Sequence, residues 1–194
     1  MKTIVLIDGE NFLHKLKEEF GANNKRDIRK ELVNIKLSHL LNSKISILKE
    51  TEQAEIRYYS AKLSVYKPQK EMSNRLIEAQ RKLKRNLENQ GIKFIITGHV
   101  RPQNVLQEGK VIFKEKGVDV KIAVDMILLA CDKLAERIIL CSSDSDLQPA
   151  VKESRKRGIE VVYLGFQSNP NKGLKATTDS SILLTKKDLS LLLK

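Results

Sequence analysis

No apolar run in the sequence approaches the roughly 18 to 20 residues that a membrane-spanning helix requires. The opening MKTIVLIDGEN is apolar only from Ile4 to Ile7 and closes on an acid, so it lacks the length and cleavage site of a signal peptide. A cytoplasmic protein with no membrane partner is expected. There are only 2 cysteines, Cys131 and Cys141, both inside apolar segments and without CxxC or Cys/His spacing, which argues against zinc and for buried free thiols. No GxGxxG or Walker glycine pattern follows the first apolar segment, which argues against a nucleotide-binding Rossmann protein. Internal repeats and low-complexity blocks are absent as well.

What is present suits one domain. The chain has 194 residues, 41% of them hydrophobic, enough for a single packed core. Lys and Arg number 36 against 24 Asp and Glu, a formal charge of +12. Such an excess favours polyanionic partners through steering and counterion release, with nucleic acid first among them. A lysine-rich surface alone gives the same number, so the charge becomes informative only when joined to a site.

The TIVLID run, Thr3 to Asp8, is continuously apolar, as in a strand buried on both faces of a parallel sheet, and it leaves Asp8 at its carboxyl end. Apolar residues at helical spacing predict an amphipathic helix from Asp27 to Leu41. A second strand is expected over Glu55 to Leu63, then a long helix with Pro68 in its first turn, ending near Gln90 with Gly91 as its cap. The third strand is IKFIITGHV, Ile92 to Val100. A hairpin or flap follows to Phe113, with a turn signal at Glu108-Gly109. Val118 to Leu129 reads as a helix, Arg137 to Cys141 as the fourth strand, Leu147 to Arg157 as a helix stopped by Gly158, and Ile159 to Leu164 as the fifth strand. Gln167 to Gly173 reads as a polar loop, and Leu189 to Leu193 as a closing helix or strand on the sheet edge. The alternation predicts an α/β fold with a doubly wound, mainly parallel sheet of about five strands, order 3-2-1-4-5, helices on both faces.

In such sheets ligands bind outside the carboxyl ends of the strands. With strands one and four adjacent, Asp8 faces the Ser142-Ser143-Asp144-Ser145-Asp146 loop, and Asp119, at the start of the helix after the flap, completes a ring. Crowded carboxylates repel one another, so the cluster is costly unless a cation neutralises it. All-oxygen ligands point to Mg²⁺ or Mn²⁺, and such ions support phosphodiester cleavage. Taken singly, each acid has a simpler reading: an Asp after a strand is often a helix N-cap, and Asp144 or Asp146 equally suits that role.

These residues carry a family resemblance. DGENF at Asp8 to Phe12, KGVDVKIAVDM at Lys116 to Met126 and SSDSDL at Ser142 to Leu147, followed by a helix and GIEVVYLG, together resemble the NYN domain in its LabA-like form, a branch of the PIN-like nuclease superfamily. The resemblance implies a Rossmann-like PIN fold and metal-dependent cleavage of RNA, with Asp8, Asp119, Asp144 and Asp146 at the family's acidic positions and Asn11 helping to order the first. Ser143 stands where relatives commonly carry glycine, and Leu147 where they commonly carry an aromatic. Residues 1–166 would form the NYN/PIN-like domain and 167–194 a C-terminal segment packed on it.

Asp125 lies in the matching stretch but, six residues beyond Asp119, is turned about 120° from it on an ideal helix. It is read as support, holding Lys116 or a loop; Ser142 is also read as supporting. Asp179 is read as a cap or loop anchor. Among the basic clusters, Arg101, Lys110 and Lys114 near the flap are the candidates for gripping an RNA backbone, and His99 is the one histidine placed to touch substrate. Single-stranded RNA is the expected partner, and a homodimer is left open. Two functions compete: a Mg²⁺- or Mn²⁺-dependent ribonuclease, and a non-catalytic RNA-binding or regulatory module on the same fold.

Overall fold

β1 (Thr3–Asp8) is buried along its whole length and pairs in parallel with β2 (Glu55–Lys62) on one side and β5 (Arg137–Cys141) on the other. Its alternate side chains feed two cores. Val5 and Ile7 join Phe12, Leu16, Leu40, Tyr58 and Leu87 on one face, while Ile4 and Leu6 join Tyr59, Ile122, Met126, Leu140 and Val151 on the other. Burial of each such large aliphatic stabilises by about 1.5–3 kcal/mol, so a one-residue slip of β1 would forfeit both faces at once. The computed structural model describes residues 2–20, 34–46, 54–105, 110–190 and 192.

After β1 come α1 (Gly9–Phe20), α2 (Leu37–Ile45), β2, α3 (Lys70–Asn89), β3 (Lys93–Val105), β4 (Lys110–Lys116), α4 (Val118–Cys131), β5, α5 (Gln148–Lys156), β6 (Glu160–Phe166), α6 (Lys172–Thr177), β7 (Ser180–Leu184) and α7 (Lys186–Ser190). The sheet order is β4-β3-β2-β1-β5-β6-β7. The expected order of five parallel strands is present in its middle, as β3-β2-β1-β5-β6. The count of five is corrected to seven, with one antiparallel edge. The anticipated hairpin lengthens β3 and adds β4 against it, His99 opposite Lys116 and Val105 opposite Lys110. The turn at Glu108-Gly109 lies outside the described residues.

At the other edge, residues 167–171 form the expected polar loop, but its last two residues, Lys172 and Gly173, already belong to α6, because the Asn171 side chain accepts from Leu174 N at 2.8 Å and so starts a helix. The chain then returns as β7, parallel to β6. Asp179 ties this return down: it accepts from Val161 N at 2.9 Å and from the Arg155 guanidinium at 2.7 Å. Leu189, of the closing segment, is buried in α7, while Leu193 lies outside the described residues.

The helix expected over Asp27 to Leu41 is also corrected in its described part. Residues 34–36 are not helical, and α2 runs on to Ile45. Gln90, at the end of α3, explains the break. Its Nε2 donates to the Ile35 carbonyl at 2.7 Å and its Oε1 accepts from Ser38 N at 3.1 Å, which holds the backbone out of a helix there and satisfies the first turn of a new one. α3 ends as expected at Gly91, whose φ of 77° closes the helix.

Candidate acidic site

Asp8 ends β1, and the chain must turn at once into α1. Gly9 permits the turn, since a Cβ there would stand 2.4 Å from the Tyr59 carbonyl oxygen and 2.5 Å from Tyr58 Cε1. The Asp8 side chain is 5% exposed. Its Oδ1 accepts from Asn11 N at 3.1 Å, and its Oδ2 accepts from Asn11 Nδ2 at 2.7 Å and from Ser142 Oγ at 3.3 Å. Burial pushes its pKa up, the charge of Asp144 adds to the rise, and the bonds from Asn11 and Ser142 oppose it.

The loop after β5 is wired to the same group. Ser142 Oγ also accepts from Asp144 N at 3.1 Å, Ser143 Oγ donates to Asn11 Oδ1, and Asn171 Nδ2 donates to the Ser143 carbonyl at 2.8 Å. Asp144 is half-buried, and its Oδ1 accepts from Asp146 N at 2.9 Å, capping a single helical turn over Ser145–Leu147. The capping reading therefore holds for Asp144, and for Asp8 through Asn11 N. Asp146 differs, because its side chain is on the exposed face of that turn.

Asp119 reaches the region by another route. A Cβ on Gly98 would meet the Lys116 carbonyl oxygen at 2.1 Å, so the hairpin strands cross closely there, and Gly117, at φ 86°, then turns the chain into α4 with Asp119 in its first turn. Lys116 is exposed. Asp125 does not hold it: the Asp125 carboxylate is buried, accepting from Tyr59 OH at 2.8 Å and pairing with Lys121 Nζ at 2.6 Å. This Tyr59–Asp125–Lys121 chain fastens α4 to β2, a supporting role with a different partner from the one expected. Arg101 and Lys114 are exposed on the hairpin, and Arg101 Nε donates to His99 Nε2 at 2.7 Å. The Lys110 side chain lies outside the described residues.

Glu115 was not among the expected residues. Burial, together with the charges of Asp8, Glu10 and Asp119, pushes its pKa up to about 7, with the Ala61 backbone N–H opposing. Its Oε1 is buried without a hydrogen-bond partner among the described residues. The available signal was alternation: with Lys114 and Lys116 facing solvent, Glu115 must face inward. Asp8, Glu10, Glu115, Asp119 and Asp144 thus share one electrostatic neighbourhood, although among the described residues no three His, Cys, Asp or Glu side chains form a ready-made metal cage.

The comparisons agree with this fold. The family model of the NYN domain matches residues 2–185, and the chain belongs to that family, a branch of the PIN-like nuclease superfamily. Among solved structures it is similar to the crystal structure of VPA0982, a protein of unknown function from Vibrio parahaemolyticus RIMD 2210633, with a TM-score of 0.59 and 18% identity over 94% of this chain and 92% of that one. That likeness bears on the fold alone. No curated protein matches the sequence. Among the described residues no helix is long and apolar enough to cross a membrane.

Proposed function

We propose that the protein is a metal-dependent ribonuclease that hydrolyses RNA phosphodiester bonds at this acidic site, with Asp8, Asp144, Asp119 and Asp146 as the residues that would hold Mg²⁺ or Mn²⁺. The observation that carries the reading is the buried Asp8 carboxylate, kept beside Asp144 against its own desolvation and oriented by Asn11 and Ser142. An all-oxygen donor set suits a hard cation. When bound, a divalent ion supplies activation of water and stabilisation of charge on the phosphate. The chain's own part is orientation: Asn11 and Ser142 fix Asp8, Ser142 ties Asp144 to it, and Asn171 holds the loop that carries Asp144. Single-stranded RNA would lie along the basic hairpin at Arg101, Lys110 and Lys114.

A second reading, a non-catalytic RNA-binding module, draws on the outward-facing Asp146 and the lack of a ready-made cage among the described residues. Cleavage of labelled RNA by purified protein with Mn²⁺, Mg²⁺ or EDTA separates the two. The ribonuclease reading expects cleavage that EDTA stops and that Asp8→Asn and Asp144→Asn each abolish. A wild type inactive with every divalent ion supports the binding module, and activity surviving in both variants places the active site elsewhere.

A further inference from the structure

α4 is apolar on every side. Its inner face buries Val118, Ile122, Met126 and Leu129, and the residues it leaves exposed, Val120, Val124, Leu128 and Cys131, are apolar too. In a chain that is 31% charged the outer face of a surface helix should carry charge, whereas a helix apolar all round is one that is covered all round. Leu134 continues the strip. Its N–H donates to the Leu129 carbonyl at 3.0 Å, which keeps it against the end of the helix, and it is 47% exposed. Seven large apolar side chains are this open among the described residues, and four of them lie here, so the strip is a patch rather than scatter. Along it Val120, Val124, Ile127, Cys131 and Leu134 follow at alternating intervals of four and three residues, the spacing of a seam that packs against another helix.

The charges beside the seam select the helix that fits. At a formal charge of +12 two copies of this chain repel, so a face on which they meet must match charge locally. Asp119 and Lys121 stand near the amino end of α4 and Asp132 and Lys133 near its carboxyl end, while Asp125, the remaining charge, is buried in its bond to Tyr59. Set antiparallel with Val124 opposite the partner's Leu128, two copies of α4 bring Asp132 to the partner's Lys121 and Lys133 to the partner's Asp119, each contact repeated by symmetry. Set parallel, every charge meets its own copy. Asp132 gains most from the antiparallel arrangement, because it is exposed, has no side-chain partner among the described residues, and sits at the helix end whose partial charge is also negative. Lys121 keeps its pairing with Asp125 at 2.6 Å and still has ammonium hydrogens to give.

We propose that the outer face of α4 is a homodimer interface, on which a second copy of the chain packs its own α4 antiparallel along the seam from Val120 to Leu134. This holds whether or not the acidic site cleaves RNA. α4 has 14 residues and is about 21 Å long, too short to bury alone the roughly 800 Å² a side of a stable complex, so the dimer should be weak, with a dissociation constant on the order of 10 µM. Sedimentation equilibrium under reducing conditions, from about 1 to 500 µM, should show wild type passing from monomer to dimer. Val124→Lys and Leu128→Lys stand where the side chain is already open to solvent, so the circular dichroism melt should be unchanged while each weakens the dimer at least about tenfold. Orientation is read by mild oxidation of a mixture of Val124→Cys and Leu128→Cys chains, both also Cys131→Ser and one tagged to distinguish them by size. Mixed disulfides should make up well over half of the linked dimers. Wild type still monomeric at the highest concentration overturns the proposal and leaves the seam to a different protein. A dimer indifferent to both lysine variants overturns it as well, and so do disulfides in random or like-dominated proportion.

Discussion

Glu115→Gln should stabilise the metal-free protein at neutral pH and leave its stability unchanged in mild acid. The folded protein raises the Glu115 pKa from 4.5 to about 7, chiefly by burial and then by the charges of Asp8 and Glu10. Below about pH 4.5 the carboxyl is protonated whether the chain is folded or not, and it contributes no pH dependence. Between about pH 4.5 and 7 the folded state binds more protons than the unfolded one, so stability falls as pH rises through that window. Undiminished, the shift would correspond to about 3 kcal/mol. Solvent screening of a part-exposed group brings this to roughly 1–2 kcal/mol. Glutamine keeps an oxygen to accept from the Ala61 N–H and removes the charge. At pH 7.5 and above the variant should therefore melt roughly 2–8 °C higher than wild type, with the two curves meeting near pH 4.5. Melting curves in EDTA across this range test it, and the difference between the variants isolates Glu115 from other titrating groups. A variant less stable than wild type at neutral pH, or a difference independent of pH, would refute the argument.

Three further outcomes are expected. Gly9→Ala should cost about 1–3 kcal/mol, because the new methyl meets backbone and a ring that has little room to move; an unchanged melting temperature would contradict the close crossing of β2. Asn171→Ala removes both the cap of α6 and the bond to the Ser143 carbonyl, so it should cost about 1–2 kcal/mol and lower cleavage through the loosened Asp144 loop; the loss should be visible by calorimetry and in the RNA assay. Affinity for single-stranded RNA should fall linearly with salt on logarithmic axes, as expected of a chain with formal charge +12; a flat dependence in a filter-binding titration would rule out the basic hairpin as the grip.

The centre of the fold was legible because its determinants are local. A fully apolar run such as Ile4 to Ile7 fits only a strand covered on both faces, and the strand–helix alternation around it fixes β1 beside β5, hence Asp8 beside the Ser142–Asp146 loop. The edges were less legible. β7 reads SSILL in a segment of mixed polarity, and it becomes a strand only because Asp179 and Arg155 dock it on β6. The break before α2 depends on Gln90, a residue distant in sequence. Glu115 illustrates the same limit at the site: alternation with Lys114 and Lys116 turns it inward, but only the pairing of β3 with β4 carries it into the neighbourhood of Asp8. Helical angle alone turned Asp125 away from Asp119, yet nothing near it in sequence named Tyr59 as the hydroxyl it would accept.

The capping and metal-holding readings of Asp8 meet in the behaviour of Asp8→Asn. At first sight the amide should be costly, since its Nδ2 would face Asn11 Nδ2 and the Ser142 hydroxyl, both of which donate to the present carboxylate. Every partner, however, can be reversed. Turning the Asn11 amide over presents its Oδ1 to the new Nδ2 and its own Nδ2 to Ser143 Oγ, a hydroxyl that accepts as well as it donates. Ser142 Oγ has a second lone pair for the new amide beside the one that receives Asp144 N. The Asn11 N–H still finds an oxygen, so the cap survives. Removing a charge that burial already disfavours then offsets the rearrangement, and the variant should melt within about 2 °C of wild type. Asp8→Ala leaves the same donors unmet in a buried place and should lose about 1–3 kcal/mol. If the asparagine variant instead unfolds as readily as the alanine one, the network is not reversible, and any loss of RNA cleavage in Asp8→Asn reports a broken cap rather than a missing ligand.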